Sequence, residues 1–162
     1  MYKVLDFDWE HTLEVALLES YNEDRAKAYI CSPCRAETVK HILKNMKMAK
    51  LYMYYCYMYM DVLPKATHAC LPLLLNDGRE DERNFALEIG RLFLETTDVI
   101  YVCGDRVSEG MLQEISFAIG KEIPIVIFNS DLYCEITKLV SYKNITLNAR
   151  HPLLGTSHEN YY

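Results

Sequence analysis

The sequence predicts an α/β domain built on a parallel sheet, and three observations carry that expectation. Short apolar runs, Ala28–Cys31 (AYIC), Asp98–Cys103 (DVIYVC) and Pro124–Phe128 (PIVIF), are continuous rather than alternating, as strands buried on both faces are. Stretches with helical spacing lie between them, and that alternation implies helices covering both faces of one sheet. Turn residues are scarce: 6 Gly and 5 Pro in 162 residues are too few for a many-turned all-β protein.

The elements follow in order. Met1–Phe7 reads as a short strand and Asp8 to about Ser20 as a helix, with Trp9, Leu13, Ala16 and Leu17 on one side. Tyr21–Lys27 is polar and reads as a linker, so residues 1–27 are expected to form an N-terminal extension. The main domain is expected over residues 28–147. Its first strand is Ala28–Cys31, stopped by Ser32-Pro33. Ala36 to about Met60 has no Gly or Pro and reads as one long helix. Ala66–Leu71 is the second strand, Asn76-Asp77-Gly78 a turn, and Glu80–Thr96 a helix with Phe85, Ile89, Leu92 and Phe93 on one face. Asp98–Cys103 is the next strand, followed by a helix from Ser108 to about Gly120 and a strand at Pro124–Phe128. A last helix near Leu132–Val140 and a strand at Asn144–Leu147 complete the domain, and residues 148–162 form a polar tail. No repeat is visible.

Composition narrows the function classes. Hydrophobic residues make up 51% and charged residues 25%, which fits a folded globular chain. The 17 basic and 23 acidic residues leave a net charge of −6, which argues against gripping a nucleic-acid polymer. A single small anion remains compatible, because one Arg or one helix start can hold it. The N-terminal stretch carries Asp6, Asp8, Glu10 and Glu14, unlike a signal peptide, and no run approaches a membrane span. A cytoplasmic location with no membrane partner is therefore expected, with the six Cys (31, 34, 56, 70, 103, 134) reduced.

Ligands of open parallel sheets bind beyond the carboxyl ends of the strands. That draws attention to two loops, Ser32–Arg35 and Gly104–Gly110. In the second, Ser108 is a natural N-cap, Gly110 permits close backbone approach, and free N–H groups at the helix start favour an anion. Glu114 follows six residues after Ser108, in the second helical turn, where it can face the same crevice. A carboxylate there suits attack on a sugar carbon. Spacing alone is equally satisfied by an ordinary capped helix with a solvated Glu.

Tyr29-Ile-Cys-Ser-Pro-Cys-Arg35, Asp98-Val-Ile-Tyr-Val and Ser108-x-Gly110-x-x-x-Glu114, in that order, resemble the nucleoside 2-deoxyribosyltransferase-like superfamily. The likeness spans roughly residues 28–130 and is nearest to small phage- or Firmicutes-type members of unassigned function. The resemblance implies a flavodoxin-like, doubly wound parallel sheet of about five strands. It also implies cleavage of the N-glycosidic bond of a nucleoside or its 5′-monophosphate, with no cofactor, in a homodimer or larger homo-oligomer. Glu114 would be the nucleophile on C1′ and Tyr29 would lie near the sugar. Ser108 and Arg35 match the hydrolase branch, in which they hold a 5′-phosphate, and Gly110, Cys31 and Ser32 would line the substrate. His68, at a strand end where related sequences often carry His, would point into the crevice or serve as a structural His.

One position departs from the family. An Asp that binds or protonates the leaving base is expected eight residues before Asp98, and Gly90 stands there. Neither Glu88 nor Arg83 replaces it: the first points to another helix face, the second is no general acid. A non-catalytic module binding a nucleotide-derived ligand is therefore the alternative. Cys31-Ser-Pro-Cys34 has thioredoxin-like spacing but occupies the sugar-site loop, and one pair does not complete a zinc site, so no metal is expected. Tyr52, Tyr55 and Tyr59 fall at helical spacing and read as a packing or subunit face.

Overall fold

The structure, a computed structural model, describes residues 25–67 and 79–157. Five strands form one sheet: β1 (Ala26–Cys31), β2 (Val62–Lys65), β3 (Val99–Val102), β4 (Ile125–Ile127) and β5 (Ile145–Leu147). Every neighbouring pair is parallel, and the order is β2-β1-β3-β4-β5. Among the described residues four α-helices accompany them: α1 (Val39–Tyr59), α2 (Glu80–Glu95), α3 (Glu109–Gly120) and α4 (Ser130–Leu139). This is the flavodoxin-like α/β fold expected from the sequence.

Strand period decides which side chains face which layer. Along β1, Tyr29 and Cys31 point into one core, with Leu94 of α2, Met111 and Ile115 of α3, and Ile136 of α4. Ala28 and Ile30 point into the other, with Met48, Ala49, Tyr52 and Cys56 of α1. One face thus carries α2, α3 and α4, the other α1. The chain moves outward from β1 to β2 and then crosses back to β3, so β1 and β3 flank the switch point. Cys103 N–H donates to the Cys31 carbonyl at 2.9 Å and carries the pairing to the very end of both strands.

Two features differ from expectation. Most of the expected strand Ala66–Leu71 lies outside the described residues, while a strand not expected from the sequence forms at Val62–Lys65. Pro64 lies within it, tolerated because β2 is an edge strand whose outer N–H needs no partner. In α2, Phe85, Leu92 and Phe93 are exposed and Leu94 is the buried residue. Gly90 and Leu94, one turn apart, bring the helix down on Tyr29, which leaves the more bulky stripe outside. The predicted N-terminal elements (1–24), the turn at 76–78 and His68 lie outside the described residues.

Residues 148–157 do more than trail away. A 3-10 turn, Pro152–Gly155, buries Leu154 in the α1-side core. Gly155 is required there, because a Cβ would stand 2.5 Å from the Phe128 carbonyl oxygen. The α1 tyrosines hold this turn: Tyr52 Oη donates to the Thr156 carbonyl, and Tyr55 Oη lies 2.9 Å from His151 Nδ1. Tyr52 and Tyr55 thus form an internal packing face, while Tyr59 is exposed and its ring lies tilted against that of Tyr55. Among the described residues, no helix is long and apolar enough to cross a membrane.

Candidate active site

Tyr29 and Glu114 meet as the sequence led one to expect. Tyr29 is fully buried, and its hydroxyl donates to Glu114 Oε1 at 3.0 Å. With its single proton so committed, it accepts from Thr67 Oγ1 at 3.1 Å. The chain Thr67–Tyr29–Glu114 fixes one carboxyl oxygen. The other, Oε2, is buried and has no hydrogen-bond partner among the described residues. An unsatisfied buried oxygen of this kind costs stability, and native proteins carry few of them.

Local structure explains the placement. Ser108 Oγ accepts from Met111 N–H at 3.3 Å and Met111 Sδ accepts from Ser108 N–H at 3.5 Å, so the start of α3 is capped from both sides. Met111, Ile115 and Ala118 then fix the buried stripe of α3, and Glu114 is carried in beside it. Cys31, two residues beyond Tyr29 on the same strand face, donates its thiol to the Met111 carbonyl at 3.9 Å and lies beside the Glu114 carboxyl.

Burial sets the electrostatics. It raises the Glu114 carboxyl, an effect that the adjacent Cys31 thiol and the Tyr29 hydroxyl only partly offset, and leaves it at about 7. Burial, reinforced by the neighbouring Glu114 charge, pushes both the Tyr29 phenol and the Cys31 thiol well up. Both therefore stay neutral donors. A buried neutral thiol is a poor redox nucleophile, and Cys31 and Cys34 are not bridged. A carboxyl poised near neutrality can act as nucleophile, acid or base.

Gly90 stands over this group. A Cβ built there would lie 3.9 Å from Tyr29 Oη, so the position at which the sequence resemblance leads one to expect an Asp faces the Tyr29–Glu114 pair. Glu88 does not substitute for it: it is exposed and pairs with Arg91 at 3.6 Å. No other described carboxylate perturbs Glu114.

The remaining expected residues divide. Ser108 is half-buried at the α3 start and Gly110 is exposed in the first turn. Arg35 is exposed on the loop before α1. Ser32 is only 2% exposed and turns to the opposite side of the sheet edge, where it lines a cavity of about 260 Å³ with His41, Lys44, Asn45 and Arg106. Sequence reasoning missed Thr67 and this cavity. His41, Lys44, Asn45, Met48 and Tyr52 follow one helical stripe, and Arg106 lies in the loop already singled out, so the signal was present in the spacing.

Residues 26–128, well over half of the chain and spanning β1 through β4, match a domain family described as a domain of unknown function, DUF7768. No curated protein matches the chain.

Proposed function

We propose that this chain, which belongs to the DUF7768 family, cleaves the N-glycosidic bond of a small (deoxy)nucleoside or its 5′-monophosphate through Glu114. The observation that carries this reading is the Glu114 carboxyl itself: one oxygen held by Tyr29, the other buried and unpartnered beside the carboxyl ends of β1 and β3. A structural Glu would have both oxygens paired or solvated. The Oε2 lone pair attacks C1′ of the sugar, the C1′–N bond breaks, and the base departs with the bond pair and takes up a proton. Tyr29, donating to Oε1, orients the carboxylate and steadies its charge. Water or a second base then releases the sugar. Ser108, Gly110 and the start of α3, with Arg35 on the loop that follows β1, supply a place for a 5′-phosphate. The residues need no metal or redox cofactor for this chemistry. The exposed Phe85, Leu87 and Leu92 of α2 favour a homo-oligomer.

The test is free base released from deoxynucleoside 5′-monophosphates and deoxynucleosides. Release by the wild type and none by Glu114→Ala is expected; no release, or equal release by the variant, overturns the reading. A second reading, a binding module without turnover, is favoured by Gly90, since no acid stands over Tyr29 to protonate a leaving base. It predicts thermal stabilisation by deoxynucleotides with no product.

A further inference from the structure

On the opposite side of the same sheet edge lies the cavity of about 260 Å³ between the loop after β1, the first half of α1, the loop after β3 and Ser157. Its polar lining is basic or neutral: His41, Lys44 and Arg106 supply nitrogens, and Ser32, Asn45 and Ser157 supply hydroxyl and amide groups. Among the described residues that line it none is acidic, although the chain as a whole carries −6. Pro33, Met48 and Tyr52 add apolar wall.

Two details make this a built site rather than a chance of surface charge. Ser32 is 2% exposed, and its Oγ is buried with no hydrogen-bond partner among the described residues. The hydroxyl is a donor on the cavity wall, kept in place by the Pro33 that follows it and by the strand that precedes it. Arg106 is also positioned. Asn45 bridges the two loops, donating to the Cys34 carbonyl at 3.1 Å and accepting from Arg106 Nη2 at 3.4 Å. Asp105, next to Arg106 in sequence, accepts from Ser157 Oγ. Gly104, at φ +96°, makes the turn that brings the Arg106 loop over Pro33 and Tyr52, a backbone setting that L side chains rarely adopt.

We propose that this cavity binds the phosphoryl group of a small phosphate monoester, with Arg106 and Lys44 balancing its charge and the Ser32 hydroxyl donating to it. A guanidinium fork, an ammonium and a buried hydroxyl match a tetrahedral dianion in charge and donor geometry. The volume is below that of a typical drug-sized site and fits a phosphoryl group with a few carbons against Pro33 and Met48. The site does not involve Tyr29, Glu114, Ser108 or Arg35, and stands whether or not Glu114 cleaves a glycosidic bond.

Calorimetric titration at constant ionic strength tests it, with inorganic phosphate, glycerol 3-phosphate and glycerol as probes. Saturable binding of both phosphates and none of glycerol is expected, the ester binding more tightly. Arg106→Gln should weaken it at least tenfold and Ser32→Ala several-fold. Lys138→Gln, an equal charge change on α4, should leave it unaltered. Glu114→Gln should retain it, which separates this site from the catalytic reading. Binding of inorganic phosphate alone would refute the monoester assignment. Absent binding, equal affinity in Arg106→Gln, or loss in Arg35→Gln in place of Arg106→Gln would overturn the site.

Discussion

On one side of the carboxyl edge of the sheet, Tyr29 and Cys31 are sealed under α2 and α3 with the half-buried Glu114 beside them; on the other, Ser32, Lys44 and Arg106 border an open cavity beside α1. Both sides draw on the same few residues of β1 and its loop, and the alternation of a strand separates them. Cys31 falls on the sealed side and Ser32 turns to the open one. Each side also keeps a buried oxygen unpartnered, Glu114 Oε2 on the first and Ser32 Oγ on the second. Yet their surroundings differ in sign. The sealed side removes water from a carboxyl and keeps it near neutrality, whereas the open side gathers cations. Reactive chemistry fits the first and anion recognition the second.

The comparison breaks most visibly at Glu114. Glu114→Ala should reduce base release by at least ~10³-fold, the scale of losing a covalent nucleophile, and a steady-state assay of free base reads it. Should the variant retain activity, the sealed side is not the reactive one.

The pH dependence of stability comes next. A carboxyl at about 7 in the native state lies above its unfolded value, so the native protein binds the extra proton between these limits. Its contribution is fully present below about pH 4.5 and is lost as pH rises through 7, amounting to roughly 3 kcal/mol. Urea unfolding of wild type and Glu114→Gln between pH 4 and 8 should show the wild type losing stability relative to the variant over that window. Parallel curves would mean that Glu114 is solvated.

Two smaller effects of opposite sign sharpen the contrast. Tyr29→Phe removes the donor to Glu114 and the acceptor for Thr67, so it should destabilise by about 1–3 kcal/mol and move the Glu114 midpoint further upward. Ser32→Ala removes a hydroxyl with no partner to lose, so the unliganded protein should gain up to about 1 kcal/mol. Denaturant midpoints of the two variants distinguish these signs.

Much of this was legible in the sequence, for physical reasons that particular residues show. The runs AYIC, DVIYVC and PIVIF mark central strands because both faces are buried, and hydrophobicity is then continuous. The Ser108 cap and the Glu114 spacing placed the α3 start correctly, because capping is local chemistry. The strand Val62–Lys65 was not legible, since it carries a Pro that reads as a break unless its place at the edge of the described sheet is known. The burial of Glu114 could not be read at all: it depends on α2 descending at Gly90, a contact between segments far apart in the chain. The cation cavity was legible in part, as a helical stripe on α1, but its closure by Arg106 and Ser157 is tertiary.

The most direct test is the titration of the Glu114 side-chain carboxyl, followed by carbon-13 NMR with Glu114→Gln to assign the signal. A midpoint near 7 is the expected result, and a midpoint near 4.5, that of a solvated glutamate, would contradict the desolvated, half-paired carboxyl on which the proposed chemistry rests.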